Sequence, residues 1–177
     1  MHDMLVNLYA TDAPFLRPEP ALTSARGEPV TIRRALAPER NLVVGWVGKL
    51  FSDGWASEAA VAISNTPTKC HLALCRDQRG GNRLVGFACF DATALGFFGP
   101  LAVDPEERGS GIGAALLKAS LLAMRAQGYG YAIIGGVGPA DFYARVAGAV
   151  AIPDSTPGIF AGLLRANPSN TKKDSET

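Results

Sequence analysis

Several things are scarce in this chain, and each scarcity excludes something. No apolar run approaches the roughly 20 residues a bilayer-crossing helix needs, and the opening "MHDMLVNLYA" lacks the basic region and apolar stretch of a secretory signal. Charge is sparse and balanced: Asp, Glu, Lys and Arg make up 19%, with 17 basic against 16 acidic residues and a net charge of +1. No basic cluster is present to meet a nucleic acid or an anionic membrane surface, so neither is expected as a partner. Cysteine is rare as well. Cys70, Cys75 and Cys89 form no C-x-x-C pair and are odd in number, which argues against a zinc site and a disulfide framework; no metal is expected. They read as small buried residues of a reducing compartment, hence a cytoplasmic protein. What the chain does have is apolar residues, 47% of its 177, enough for one domain with a full core.

Residues 1–28 carry Pro14, Pro18 and Pro20 and read as an N-terminal arm, although "MLVNLY" could pack on the body. Residues 29–166 form the domain, and residues 167–177 a disordered tail with nothing to bury. Inside the domain, "VTIRRA" (Val30–Ala35) is a strand candidate. Leu42, Val43, Trp46, Val47 and Leu50 recur at helical spacing, and "WASEAAVAISN" suggests a second, short helix. Three strands are expected next, at Lys69–Arg76, Arg83–Asp91 and Gly96–Asp104. Pro100 cannot donate to a ladder, so a bulge is predicted near Gly99–Leu101, pushing neighbouring strands apart. A long helix follows from Gly111 to Gln127, with Lys118 and Arg125 facing water. Then come a strand at "YAIIGG", a helix at "PADFYARVAG" and two closing strands at "AVAIP" and "GIFAGLL". The order predicts a mixed, mainly antiparallel α/β sheet with a parallel crossover around the long helix.

Three glycines, Gly109, Gly111 and Gly113, crowd the entrance of that helix behind Arg108. The first N–H groups of a helix have no internal partner and attract an anion, and glycines let a phosphate approach them. A Walker A loop is excluded because no Gly-Lys-Ser/Thr ending is present. Gly109, Gly111 and Ala114 satisfy the dinucleotide pattern G-x-G-x-x-A, but no carboxylate stands near residue 130 for a ribose. A turn that merely caps a helix needs one permissive residue rather than three glycines and an arginine.

Arg108-x-x-Gly111-x-Gly113, together with "LAVDPEERGSGIGAALL" and the downstream "FYARVAGA", resembles the GNAT superfamily of acyl-CoA-dependent N-acyltransferases over about Val30–Leu164. The resemblance implies a GNAT-like mixed sheet flanked by helices, with a bulged central strand. It implies acetyl-CoA as cosubstrate and transfer of its acetyl group to a primary amine by direct attack. The coenzyme pyrophosphate would lie among Arg108, Gly109, Ser110, Gly111, Ile112, Gly113 and Ala114. Backbone N–H groups of Leu101 and Val103 would meet the pantetheine arm and thioester, and Tyr143 would protonate the leaving thiolate. For the base that takes the amine proton, Asp91 and Glu58 are the candidates; His71 reads as a core histidine. Phe51 and Trp55 are candidates for the acceptor wall. Gly136 departs from the family, many of whose members carry Asn seven residues before the tyrosine. The acceptor, a small-molecule or peptide amine, is left open by the sequence, as is a homodimer. A non-catalytic acyl-CoA-binding sensor on the same fold is the alternative reading.

Overall fold

The computed structural model describes residues 2–18, 20–76 and 80–164. Its elements run β1 (Met4–Asn7), β2 (Val30–Arg34), α1 (Arg40–Leu50), α2 (Asp53–Ile63), β3 (Cys70–Arg76), β4 (Asn82–Phe90), β5 (Phe97–Val103), α3 (Ile112–Ala126), β6 (Tyr131–Ile134), α4 (Ala140–Ala147) and β7 (Val150–Ala151). One sheet takes them in the order β2-β3-β4-β5-β6-β1-β7. Every pairing is antiparallel except β5 with β6, which flank the α3 crossover. This is the mixed sheet flanked by helices that the element order predicts.

The sheet is buried on both faces, so its central strands are apolar throughout rather than alternating. Cys70, Leu72, Phe87, Cys89 and Ala102 face a core closed by Val43 and Val47 of α1 and Ala59 and Ile63 of α2. Ala73, Val85, Ala88, Phe90 and Phe98 face Leu116, Leu117, Leu121 and Met124 of α3. All three cysteines are buried free thiols, as expected of small core residues. No described helix is long and apolar enough to cross a membrane.

The N-terminal segment departs from its reading as an arm. Met4, Val6 and Leu8 alternate inward and are buried, and β1 pairs with β6 on one side and β7 on the other. Phe15, 1% exposed, continues into the same core. Arg125 is half-buried rather than facing water, donating from Nη1 to the carbonyl of Ala10 at 2.8 Å.

The closing strands also differ. "AVAIP" supplies the two-residue edge strand β7, whereas "GIFAGLL" is no strand. Gly158 and Gly162 take φ of +68° and +73°, which breaks extension and folds Gly158–Phe160 into a 3-10 turn. The expected tail, 167–177, lies outside the described residues.

Candidate active site

The site begins where β5 ends. Asp104 caps a short 3-10 turn, its Oδ1 accepting the Glu106 N–H at 3.0 Å. The chain then alternates direction: the Glu107 side chain is fully buried, whereas Arg108 and Gly109 face outward. The Ser110 hydroxyl turns back to donate to the Glu107 carbonyl at 2.5 Å. Gly111 takes φ +83°, a left-handed conformation that L side chains rarely adopt, and swings the chain into α3. No side chain caps this helix, and its first internal bond runs from the Ala115 N–H to the Gly111 carbonyl at 3.1 Å. The N–H groups of Ile112, Gly113 and Ala114 therefore open a 15-residue helix with its positive dipole end uncovered. That is a cradle for an anion.

A gap in the sheet adjoins the cradle. Ala88 pairs with Leu101 but Phe90 with Phe98, so β5 carries one extra residue at Gly99–Pro100. This is the predicted bulge. The parallel ladder to β6 covers Phe97 and Phe98, and beyond it the two strands part. The Asp104 N–H donates to Val85 of β4 at 2.9 Å. By antiparallel alternation, Ala102 also points its N–H toward β4, while Leu101 and Val103 point theirs into the gap. Two backbone donors thus face a space that no described strand fills.

α4 forms the far wall. It is opened by Pro139 and presents Phe142, Tyr143 and Arg145. The Tyr143 ring stands edge-on to Phe142 and Phe98, with centroids 5.0 and 6.5 Å away. Burial pushes its phenol up to about 12, so the group stays protonated across the physiological range. Its hydroxyl has no hydrogen-bond partner among the described residues. Phe51 and Trp55, from the α1–α2 junction, complete a cavity of about 590 Å³. Their rings lie 5.8 Å apart, and Phe51 also meets Trp46 and Phe87. Gly113 keeps the passage clear: a Cβ there would stand 3.6 Å from Val103 Cγ2 and 3.8 Å from Phe142 Cζ.

The cavity brings together Leu101, Val103, Arg108, Gly109, Gly111, Ile112, Gly113, Ala114 and Tyr143, with Phe51 and Trp55. Ser110 is adjacent but does not line it. The two carboxylates expected as bases lie elsewhere. Asp91 takes φ +53° at the turn into β5, and its side chain is 1% exposed. Its oxygens are occupied by Lys69 Nζ at 2.5 Å, the Tyr129 hydroxyl at 2.8 Å and the Gly96 N–H at 2.7 Å. Burial, with Asp91 beside it, pushes the Tyr129 phenol up to about 12. Asp91 therefore holds a turn rather than an amine. Glu58 accepts from the Thr93 hydroxyl over that same turn. His71 is the core histidine expected: Nδ1 lies 3.1 Å from Ser120 Oγ, and burial, then the charge of Arg34, lower its pKa to about 4.

Sequence reasoning missed Arg145, which lines the cavity two residues after Tyr143; an arginine on an amphipathic helix carries no signal beyond solvation. It also missed Glu107, the one carboxylate lining the cavity among the described residues. Burial alone would raise its pKa, but the hydrogen bonds of Arg83 and the Ala25 N–H, with the charge of Arg83, hold it below its ordinary value. Glu28, Cys75 and Glu107 place ligand atoms within 4.8 Å of one another, a spacing suited to a metal ion. The cation already there is Arg83, whose Nη2 reaches Glu107 at 2.7 Å and Glu28 at 3.1 Å. At Gly136 the φ is +56°, the N–H donates to Asp3 Oδ1 at 2.8 Å, and a Cβ would meet Phe160 at 3.3 Å. A larger residue there would have to displace that ring.

Residues 68–146 match the acetyltransferase (GNAT) domain profile. No curated protein matches the chain. Among solved structures, one similar fold is the GCN5-related glucosamine N-acetyltransferase region of a fungal multi-domain GH3 β-N-acetylglucosaminidase. It has 17% identity and a TM-score of 0.64 over 85% of this chain and 19% of that one. A GCN5-related N-acetyltransferase from Sphaerobacter thermophilus has 22% identity and a TM-score of 0.60, over 85% of this chain and 48% of that one. A Drosophila protein has 16% identity and a TM-score of 0.61, over 85% and 47%. At these identities the likeness is one of fold, and this chain spans less than half the length of each.

Proposed function

We propose, on the premise of the match of residues 68–146 to the GNAT acetyltransferase domain profile, that the protein moves an acetyl group from acetyl-CoA to a primary amine by direct attack. One observation carries the reading. A single cavity joins the uncapped start of α3, the two free N–H directions of β5, the Tyr143 hydroxyl and an aromatic wall. The amides of Ile112, Gly113 and Ala114 receive the pyrophosphate, with Arg108 and Arg145 at the rim. The Leu101 N–H donates to the thioester carbonyl oxygen, which gains charge as the amine nitrogen attacks. The C–N bond forms, the C–S bond breaks, and its electron pair leaves on sulfur facing the Tyr143 hydroxyl.

The acceptor enters along Phe51 and Trp55. Two arginines and one locked carboxylate line the cavity, a balance that disfavours polycations such as polyamines and aminoglycosides. The aromatic pair suits an amine on an apolar scaffold. Among the described lining residues there is no free carboxylate or imidazole to take the amine proton, so the proton leaves through water. An amine of α-amino type, with a pKa of about 7.7–8.0, is neutral far more often near pH 7 than a lysine-type amine of about 10.4. Weakly basic amines are therefore the preferred acceptors.

The same lack of a base favours the second reading, an acyl-CoA-binding module without turnover. Purified protein given acetyl-CoA and an amine panel, with free thiol followed, separates the two. Thiol release that requires an amine is the expected result. Acetyl-CoA binding without any amine-dependent release would choose the module.

A further inference from the structure

A buried polar cluster extends from the cavity wall at Glu107 to the back of the loop that opens α3. Glu107 is 0% exposed and points inward from the residue preceding Arg108. Its Oε2 accepts the Ala25 N–H at 2.8 Å and its Oε1 the Arg83 guanidinium at 2.7 Å. Arg83 is anchored in turn by Glu28, 3.1 Å away. Ala25 itself is fixed by a turn in which the Gly27 N–H reaches the Ser24 carbonyl at 3.0 Å, and Ser24 Oγ accepts the N–H groups of Arg26 and Glu28. Leu22 stands 3.6 Å from where a Gly111 Cβ would be. The Arg26–Glu106 pair on the surface is exposed and adds little.

These contacts have one geometric consequence. The loop that orients the first amides of α3 is braced by residues 22–28, a segment outside the matched domain, and by Arg83 at the start of β4. We propose that Glu107 is a positioning residue for coenzyme binding, and that through it the segment Leu22–Glu28 preorganises the pyrophosphate cradle. The inference rests on the reading that this loop takes the coenzyme pyrophosphate. Charge-assisted bonds to a fully buried carboxylate are strong enough to fix a loop before its ligand arrives, so that the ligand does not bear the ordering cost.

Ala25→Pro tests this by displacing the Glu107 carboxylate, because the ring Cδ takes the place of the amide hydrogen that Oε2 accepts at 2.8 Å. Ala25 is the second residue of its turn, where proline is favoured, and the substitution deletes the one N–H that Glu107 accepts there. Glu107→Gln is the second variant, isosteric but without the charge that faces Arg83. Binding of coenzyme A and of pantetheine, which lacks the pyrophosphate, is measured for the full chain and both variants by calorimetry. Each variant is expected to bind coenzyme A about tenfold more weakly, the loss of one charge-assisted hydrogen bond, with pantetheine binding unchanged. Equal weakening of both ligands would mean a general structural defect and overturn the proposal, as would unaltered coenzyme A binding in both folded variants. If the unsubstituted protein binds no coenzyme A, the acetyltransferase reading fails and this inference with it. If it binds and the variants bind alike, this inference alone fails.

Discussion

Tyr143→Phe removes one oxygen from the cavity wall and leaves the ring against Phe98 and Phe142 in place. The magnitude follows from the environment of the phenol. Burial raises it to about 12, roughly 3.5 units above the value of about 8.5 for a free thiol. Complete proton transfer from Tyr143 to a departing thiolate would then be uphill by about 4.8 kcal/mol. On the proposed reading the hydroxyl therefore acts chiefly as a hydrogen-bond donor to charge growing on sulfur. A hydrogen bond to a charged group contributes about 1.5–3 kcal/mol, and losing it slows kcat by about 10–150-fold. Acetyl-CoA affinity stays nearly constant, because the bond strengthens only as the C–S bond breaks. Stability changes by less than about 0.5 kcal/mol, since no described group bonds the hydroxyl. Thiol release at saturating amine, acetyl-CoA titration and a urea melt read the three quantities. An unchanged kcat with a lowered melt would make the hydroxyl a structural group, and water would become the hydrogen-bond donor to the departing thiolate.

Gly113→Val places a branched side chain between Val103 and Phe142 at a position of ordinary helical backbone. The variant should fold, and the stabilisation of about 2.7 kcal/mol expected at a hundred times the dissociation constant should vanish from its coenzyme A melting shift; a retained shift would move the coenzyme elsewhere. His71 sets the acid limit. Its folded value near 4 lies below the ordinary 6.5, so the unfolded chain binds the proton first, and stability is whole above pH 6.5 and lost as the pH falls toward 4. The loss reaches about 2 kcal/mol by pH 5 and about 3.4 kcal/mol when complete. Urea melts at pH 7 and pH 5 check it, and an equal loss in His71→Leu would assign the acid sensitivity to other groups.

The fold was legible wherever side-chain periodicity and backbone chemistry agreed. α3 announces itself by apolar rows and the glycines before it, and Pro100 betrays a bulge because a residue without an N–H cannot sit in an unbroken ladder. β1 was hidden for the opposite reason. Four residues followed by three prolines carry too little pattern to outweigh the look of an arm, and only the empty edge of β6 makes a strand of them. The "GIFAGLL" segment misled by composition: its apolar content is strand-like, but two left-handed glycines turn it and put Phe160 over the end of β6.

The site divides along the same line. Backbone geometry was readable, since the glycine spacing that frees α3's amides is written locally, and so is the bulge that turns Leu101 and Val103 toward the gap. Side-chain direction was not. Asp91 is a candidate as the carboxylate beside the bulged strand and Glu58 as the one on a helix that could wall the acceptor pocket, yet one is held by Lys69, Tyr129 and Gly96 and the other by Thr93. Glu107 sits inside the motif itself, and nothing in "PEER" marks which of its acids turns inward. Its neighbours Glu106 and Arg108 do face water, but a tight turn sends alternate residues to opposite sides, and the inward one met an arginine on β4 and an amide from residue 25. A loop motif is thus legible before the packing that stiffens it is, because the motif is contiguous and its bracing comes from 24 and 82 residues away.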